Sequence, residues 1–126
     1  MSKVLLDTDV LIDVLRGREK ARVFLRTVTH DAVPCCSVIS VAELWAGMYP
    51  AEQEATFTLI DALLVIPVSR EIAELGGKFK RDIKSQKLEL ADCLIAATAL
   101  VEGASLATGN IKDYPMDEIT ILPHRR

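Results

Sequence analysis

Two carboxylates stand at the end of a short apolar run near the start of the chain, in the segment Val-Leu-Leu-Asp-Thr-Asp-Val from position 4 to 10. A run that is apolar on both faces is typical of a strand inside a parallel sheet covered by helices. Asp7 would stand at the carboxyl end of that strand, where open α/β sheets bind ligands. The structural alternative is that Asp7 or Asp9 caps a helix beginning near Val10.

Further polar residues share this placement, because each follows a predicted buried strand or opens a predicted buried helix. Glu43 lies in the first turn of the helix after the second strand, and Asp92 opens a helix that is apolar nearly all round. Asn110 and Asp113 follow the fourth strand. The carboxyl ends of parallel strands meet at one edge of a sheet, so we expect these side chains to converge there.

Converging carboxylates repel one another and raise each other's pKa, and a divalent cation removes that penalty. Oxygen ligands of this kind favour Mg²⁺ or Mn²⁺ over zinc. Such a cation activates a bound water and stabilises charge on phosphate oxygens, which is the chemistry of phosphodiester hydrolysis. The residues therefore indicate a metal-dependent nuclease or phosphatase.

Each of these positions also has a structural interpretation. Ser40 and Glu43 have the spacing of a capping box, and Asn110 and Asp113 are residue types that favour turns. Asp92 is harder to explain structurally, because an acid in an apolar helix is costly to bury unpaired even near the helix N-terminus. We expect Asp7 to be a metal ligand on the strength of the whole set. Asp9, two residues further on, is expected to cap the helix or to hold a water.

The elements that must position these residues alternate between strand and helix. We predict strands at 4–6, 35–38, 64–68, 105–107 and 119–122, and helices at 10–15, 19–28, 41–47, 52–63, 70–85 and 90–101. His30, Asp31 and Pro34 are expected to end the second helix, and Gly76-Gly77, a pair of low helix propensity, lies in the middle of the predicted helix 70–85. This alternation predicts an α/β fold with a mainly parallel sheet of four or five strands.

Length and composition fit one globular domain over residues 1–126. Half of the residues are hydrophobic and 26% are charged, which excludes a disordered chain. The sequence has neither the roughly 20 apolar residues that a membrane span needs nor a secretory signal, so we expect a cytoplasmic protein. The three cysteines, Cys35, Cys36 and Cys93, match neither a disulfide framework nor a zinc spacing and are expected to be buried.

The charge distribution leaves the partner open. A net charge of −3 and a pI of about 5.4 argue against a nucleic-acid partner. Ten of the fifteen Lys and Arg residues nevertheless fall in two short segments: Arg16, Arg18, Lys20, Arg22 and Arg26, then Lys78, Lys80, Arg81, Lys84 and Lys87. These segments are either solvated helix faces or surfaces for a phosphate backbone. The candidate RNA contacts are Arg16, Arg18, Lys80, Arg81 and Thr108.

Four blocks of the sequence, taken in order, resemble a PIN-domain ribonuclease of the VapC toxin type. They are Leu-Leu-Asp-Thr-Asp-Val-Leu-Ile-Asp from position 5, Ser-Val-Ala-Glu-Leu from 40, Ala-Asp-Cys-Leu-Ile-Ala-Ala from 91 and Ala-Thr-Gly-Asn-Ile-Lys-Asp-Tyr from 107. The resemblance runs from Val4 to about Tyr114. It implies a three-layer α/β/α sandwich, cleavage of RNA with Mg²⁺ or Mn²⁺, a homodimer, and neutralisation by an antitoxin protein.

The family pattern also implies roles for individual residues. Asp7 and Asp92 would hold the metal, and Glu43 would complete the ligand set or orient water. The fourth acid would follow strand four, where Asn110 occupies a position that carries Asp in many relatives and Asp113 is the available substitute. The resemblance thus gives Asp7, Glu43, Asp92 and Asp113 as catalytic residues, with Asn110 as a further candidate ligand.

Two other functions fit parts of the sequence. Asp7-Thr-Asp9-Val also resembles the start of a haloacid-dehalogenase-type phosphatase, in which the first Asp is a nucleophile. That class resembles the later part of the chain less well, because the later acid, Asp92, opens a helix. The other alternative is an inactive PIN-like module that binds RNA or protein.

Trp45, Met48 and Tyr49 are candidates either for a dimer interface or for the core.

Overall fold

The computed structural model describes residues 1–124, in which strands and helices alternate. The strands are β1 (Ser2–Leu6), β2 (Ala32–Ser37), β3 (Leu64–Ile66), β4 (Ser105–Thr108) and β5 (Ile121–Pro123). The helices are α1 (Thr8–Leu15), α2 (Glu19–Asp31), α3 (Val38–Gly47), α4 (Gln53–Asp61), α5 (Arg70–Asp82) and α6 (Leu90–Glu102). Two short 3₁₀ turns lie at Pro50–Glu52 and Ile111–Asp113. The alternation predicted from the sequence is confirmed.

The sheet holds five strands in the order β3-β2-β1-β4-β5, and all four pairings are parallel. Side chains of β1 alternate between its two faces, as the pleat of a strand requires. Leu5 packs in the core that includes α5 and α6, whereas Val4 and Leu6 pack in the core that includes α1, α2 and α4. Helices therefore cover both faces, and the predicted three-layer α/β/α architecture is confirmed.

The order of the strands places one crevice at the centre of the sheet. β1 has β2 on one side and β4 on the other, so the strand order reverses at β1. In open parallel sheets, ligands bind at the carboxyl ends of the strands at such a switch point. Asp7 follows β1 directly, and its backbone N–H donates to Ala107 O of β4 at 2.9 Å. The first acid of the sequence thus lies at the switch point.

The boundary between α2 and β2 differs from the prediction. His30 and Asp31 do not break α2, which continues to Asp31, and β2 begins at Ala32. Pro34 lies inside β2, opposite Val4 of β1. A proline is tolerated there because pairing of β2 with β3 starts only at Cys35, so β2 is open on one side at Pro34.

The start of α3 also corrects the sequence interpretation. Val38 belongs to the helix, whose N-cap is Ser37 with its hydroxyl accepting from Ile39 N at 3.0 Å. Ser40 lies one turn inside the helix and is buried, so the capping box predicted for Ser40 and Glu43 is wrong. Glu43 consequently has no capping role and is available for other contacts.

The pair Gly76-Gly77 lies within α5, which ends at Asp82, three residues before the predicted end. A Cβ at Gly76 would come within 2.7 Å of Leu94 Cδ2 and 3.3 Å of Cys93 O on α6. The absence of a side chain therefore lets α5 and α6 approach closely, and this packing outweighs the low helix propensity of glycine.

Strand β5 begins two residues later than predicted and ends at Pro123 on the open edge of the sheet.

Candidate active site

Asp7 is the most buried acid at the switch point, with 5% of its surface exposed. Its Oδ2 accepts hydrogen bonds from Thr108 Oγ1 at 2.8 Å and from Tyr114 OH at 2.9 Å. Its Oδ1 accepts from Thr8 N at 2.8 Å, which makes Asp7 the N-cap of α1. The two interpretations of Asp7 from the sequence, helix cap and site acid, are therefore compatible in one residue.

The environment of Asp7 disfavours its charged form. Burial, followed by the charge of Asp9, raises the pKa of Asp7 from 3.8 to about 6, against the hydrogen bonds from Thr108, Tyr114 and Thr8. These three donors are neutral. Within residues 1–124, no Lys, Arg or His side chain forms an ion pair with Asp7. Asp7 is thus a buried acid whose charge has no positive partner there.

Asp92, in the first turn of α6, lies beside Asp7. Its Oδ1 is 3.4 Å from the same Tyr114 hydroxyl that donates to Asp7. Burial, followed by the charges of Asp7, Asp113 and Glu43, raises the pKa of Asp92 to about 6. Tyr114 itself is buried, and burial together with the two acids raises the pKa of its hydroxyl, which therefore remains a donor. The convergence expected from the strand ends is observed for these acids.

Glu43 approaches this cluster from α3 and is exposed. The Thr8 hydroxyl donates to Glu43 Oε1 at 2.7 Å and lies 2.8 Å from Ser40 Oγ. Thr8 is also the first residue of α1, so it links the acid on α3 to the helix that Asp7 caps. This contact holds one oxygen of Glu43 toward the acidic edge.

The two candidates for the fourth polar position differ in their surroundings. Asp113 is half-buried, and its charge is one of those that raise the pKa of Asp92. Asn110 is exposed, and its backbone N–H donates to Thr108 Oγ1 at 3.0 Å. The turn role considered for Asn110 is thus visible in its backbone, while the electrostatic contact with the other acids belongs to Asp113.

Asp9 points from α1 toward the loop after β4. Its Oδ2 accepts from Gly109 N at 2.9 Å, and its Oδ1 accepts from Val10 N. A Cβ at Gly109 would lie 2.8 Å from Asp9 Oδ2, so glycine allows the loop backbone to come this close. The cap predicted for Asp9 is instead provided by Asp7, and Asp9 connects α1 to the loop that precedes Asp113.

The donor set at this edge fits a hard divalent cation. It consists of carboxylates backed by hydroxyl and backbone donors, and Mg²⁺ or Mn²⁺ prefers oxygen ligands. In residues 1–124, no group of three His, Cys, Asp or Glu side chains lies close enough together to bind one metal ion in the present conformation. The acids are close enough, however, for Asp7, Asp113 and Glu43 to shift the pKa of Asp92. The arrangement is that of mutually repelling acids that a cation would draw together.

Four of the five candidate RNA contacts already contact other groups of the protein. Thr108 is fully buried and bonded to Asp7, so the RNA contact predicted for it has no surface to form on. Lys80 donates to Leu88 O, and Arg81 pairs with Asp82 at 2.7 Å. Arg18 lies 3.4 Å from Asp13.

Arg16 is placed differently from these three cations. It is exposed and lines a cavity of about 130 Å³ together with Glu43 and Met48. Of the predicted RNA contacts, Arg16 is therefore the one that shares a surface with a site acid.

Other expectations have clear outcomes in the fold. Cys35, Cys36 and Cys93 are free and buried, as predicted. Trp45 is half-buried and packs edge to face against Phe57 with ring centroids 5.1 Å apart, whereas Tyr49 is exposed. No helix within residues 1–124 has the length and apolar character needed to cross a membrane.

Tyr114 and Thr8 also belong to this site, although neither residue was predicted from the sequence. Tyr114 is one of only two tyrosines and follows Asp113 directly, and a tyrosine that is buried needs a hydrogen-bond partner for its hydroxyl. That was the available signal. Thr8 gave none beyond its place between two acids, because its contact with Glu43 joins residues 35 positions apart.

Comparisons with known proteins agree with this geometry. A family model described as "PIN domain" matches residues 4–115. Ribonuclease VapC10 of Mycobacterium tuberculosis is 39% identical over 117 residues, covering 91% of this chain and 88% of that protein. Ribonuclease VapC1 of Methanocaldococcus jannaschii is 29% identical over 116 residues, covering 90% of this chain and 79% of that protein.

Solved structures give the same architecture. A toxin-antitoxin complex from Klebsiella pneumoniae matches with a TM-score of 0.78 and 26% identity, over 94% of this chain and 96% of that one. DNA-bound VapBC from Salmonella typhimurium matches with a TM-score of 0.85 and 23% identity, over 98% of each chain. At 23% identity, the second match shows the fold alone.

Proposed function

The chain belongs to the PIN domain family, and from that membership we propose that it is a metal-dependent endoribonuclease, the toxin of a toxin-antitoxin pair. The observation that carries the proposal is the pair Asp7 and Asp92, two acids at the switch point whose pKa values are both raised to about 6. Buried acids that lack a positive partner are unfavourable unless they bind a cation. A nuclease of this kind requires such a cation.

We propose that Asp7 and Asp92 hold the ion, with Asp113 as the fourth acid in preference to Asn110. A bound Mg²⁺ or Mn²⁺ would supply a water of lowered pKa and positive charge for the phosphate oxygens. The Thr8 hydroxyl donates to Oε1 of the exposed Glu43, and Oε2 would remain available for orienting the water. Thr108 and Tyr114 are buried and donate to Asp7 Oδ2, so we assign them to holding Asp7 and not to contacting RNA.

The surface for RNA is proposed to include the segment between α5 and α6. Gln86 Nε2 donates to Lys112 O at 2.7 Å, which ties this segment to the turn that carries Asp113. Lys84, Lys87 and Lys112 are exposed, and within residues 1–124 their side chains form no ion pair, whereas Lys80 donates to Leu88 O and Arg81 pairs with Asp82. If they bind RNA, replacing Lys84 and Lys87 with Ala will flatten the salt dependence of binding.

The partners follow from the relatives and belong to the same proposal. We propose that the chain forms one domain over residues 1–126, acts in the cytoplasm, forms a homodimer and is inhibited by an antitoxin protein. The support is the match to a toxin-antitoxin complex at 26% identity. The exposed aromatic residues Tyr49 and Phe57 offer a surface for either protein partner.

The experiment is an incubation of the purified protein with RNA and with a phosphate monoester, each with Mn²⁺ and with a chelator. We expect internal cleavage of RNA with Mn²⁺ and neither reaction with chelator. Hydrolysis of the monoester instead would favour the haloacid-dehalogenase-type alternative. Intact RNA with Mn²⁺, when circular dichroism shows a folded protein, would leave the inactive binding module as the better description.

A further inference from the structure

Tyr114 is the one side chain in residues 1–124 that hydrogen-bonds to both Asp7 and Asp92. Its hydroxyl donates to Asp7 Oδ2 at 2.9 Å and lies 3.4 Å from Asp92 Oδ1. The ring belongs to the core cluster under α5 and α6, so the hydroxyl has a fixed position. The two acids come from distant parts of the chain, and the Tyr114 hydroxyl lies within 3.4 Å of both carboxyl groups.

The bonds to Asp7 determine which of its acceptor positions are in use. Thr108 and Tyr114 both donate to Oδ2, and the Thr8 backbone donates to Oδ1. These contacts use three of the roughly four acceptor positions of a carboxylate. The position that remains is on Oδ1, so Asp7 can bind a cation through Oδ1 without losing any of its three donors.

We propose that Tyr114 is a positioning residue, which fixes Asp7 and Asp92 relative to each other in the arrangement that takes the metal ion. This inference rests on the proposed function, because it assumes that these two acids are the ligands. Without the hydroxyl, their mutual repulsion would turn the carboxyl groups apart, and the ion would have to draw them back. Groups that hydrogen-bond to metal ligands commonly contribute 10–100-fold in affinity. The Tyr114 hydroxyl donates its one proton to Asp7 and lies 3.4 Å from Asp92.

The test is Tyr114→Phe, which removes only the hydroxyl and keeps the ring in the core. The chain offers a matched control in Tyr49→Phe, because Tyr49 is exposed and does not touch the acids. Binding of Mn²⁺ to each metal-free protein would be measured by isothermal titration calorimetry, together with the melting temperature of the metal-free form. We expect Tyr114→Phe to weaken Mn²⁺ binding by about 10–100-fold and Tyr49→Phe to leave it unchanged.

The outcomes separate the two proposals. A lower melting temperature for Tyr114→Phe with unchanged Mn²⁺ affinity would show a merely structural hydroxyl and overturn the inference. Tighter Mn²⁺ binding would also overturn it, because the hydroxyl would then compete with the ion for Asp7. If the wild-type protein itself binds no Mn²⁺, the proposed function fails instead.

Discussion

Two buried acids at opposite ends of α1 have opposite surroundings. Asp7 caps the start of the helix and receives only neutral donors. Asp13, nearer the C-terminal end, has Arg18 Nε 3.4 Å from its Oδ1 and His124 Nε2 3.6 Å from its Oδ2. Both carboxyls are more than nine-tenths buried, so burial alone does not tell them apart.

What separates the two acids is the source of positive charge. Asp13 has basic side chains beside it within the fold, which is the usual requirement for a buried carboxylate. Asp7 has Asp9 and Asp92 as its charged neighbours instead, and their repulsion favours any cation that binds. A buried acid is therefore a candidate functional residue when the fold places no basic side chain beside its carboxylate.

The largest expected effect is on catalysis, from Asp92→Asn. Removing a ligand should lower RNA cleavage by more than about 100-fold, since partners of ligands alone cost 10–100-fold. The metal-free variant should be as stable as the wild type or more so at pH 7, because one repelling charge is gone. Cleavage assays with Mn²⁺ and urea denaturation measure the two quantities. Retained cleavage, or a large loss of stability, would place Asp92 with Asp13 as a structural acid.

Asp92 is a better choice than Asp7 for this experiment. Asp7 accepts from Thr8 N on Oδ1 and from Thr108 and Tyr114 on Oδ2, so the NH2 group of an Asn side chain would face a donor on one side. A buried group left without its hydrogen bond costs about 1–3 kcal/mol, which would mask the relief of repulsion. Replacing Asp92 therefore isolates the charge more cleanly.

The second effect is on stability, from Asp13→Asn. Loss of a charged partner for Arg18 and His124 should lower the free energy of unfolding by about 1–3 kcal/mol. Cleavage per folded molecule should stay at the wild-type level. The matched control is Asp31→Asn, because Asp31 forms an exposed pair with His30 at 3.0 Å, and such pairs contribute little. Equal stability of the two variants in urea would remove the distinction drawn between the two ends of α1.

The smallest effect is a dependence of stability on pH in the metal-free protein. Because the pKa values of Asp7 and Asp92 are raised from 3.8 to about 6, the folded state binds more protons than the unfolded state between these pH values. Their contribution to the unfolding free energy therefore falls as pH rises from about 4 to about 6. The melting temperature should drop through this range, by roughly 4 °C for each kcal/mol lost in a domain of this size.

The control for this pH effect is Mn²⁺ and the Asp92→Asn variant. Added Mn²⁺ should restore the melting temperature at pH 7, and Asp92→Asn should show a shallower decline between pH 4 and 6. A wild-type melting temperature that rises through this range, with the same course in Asp92→Asn, would contradict the raised pKa values.

The sequence predicted those parts of the fold that depend on local pattern. The apolar run 4–6 followed by Asp7 is a strand end that the structure confirms. The segment 90–101, apolar except for Asp92 and Thr98, marks a helix buried by its neighbours. Element boundaries were less predictable. Ser37 and Ser40 are equally good capping residues by type, and only the end of the pairing with β3 decides between them.

The site was predictable in its acids but not in their support. Asp7, Glu43 and Asp92 could be identified from the sequence, because a charged side chain at the end of an apolar segment is energetically unfavourable unless it has a partner or a function. Tyr114 becomes their partner only because β4 lies beside β1 in the sheet. No local sequence pattern predicts the order of the strands. The choice between Asn110 and Asp113 likewise depends on the short turn that brings Asp113 near Asp92.

The hydrogen bonds to Asp7 also have a consequence for when the protein can act during its synthesis. Two of its three donors, Thr108 and Tyr114, lie 101 and 107 residues further along the chain. Contacts of such long sequence separation form late in folding, and none of them exists until the ribosome has released that part of the chain. An incomplete nascent chain therefore has the first acid of the site but not the partners that hold it.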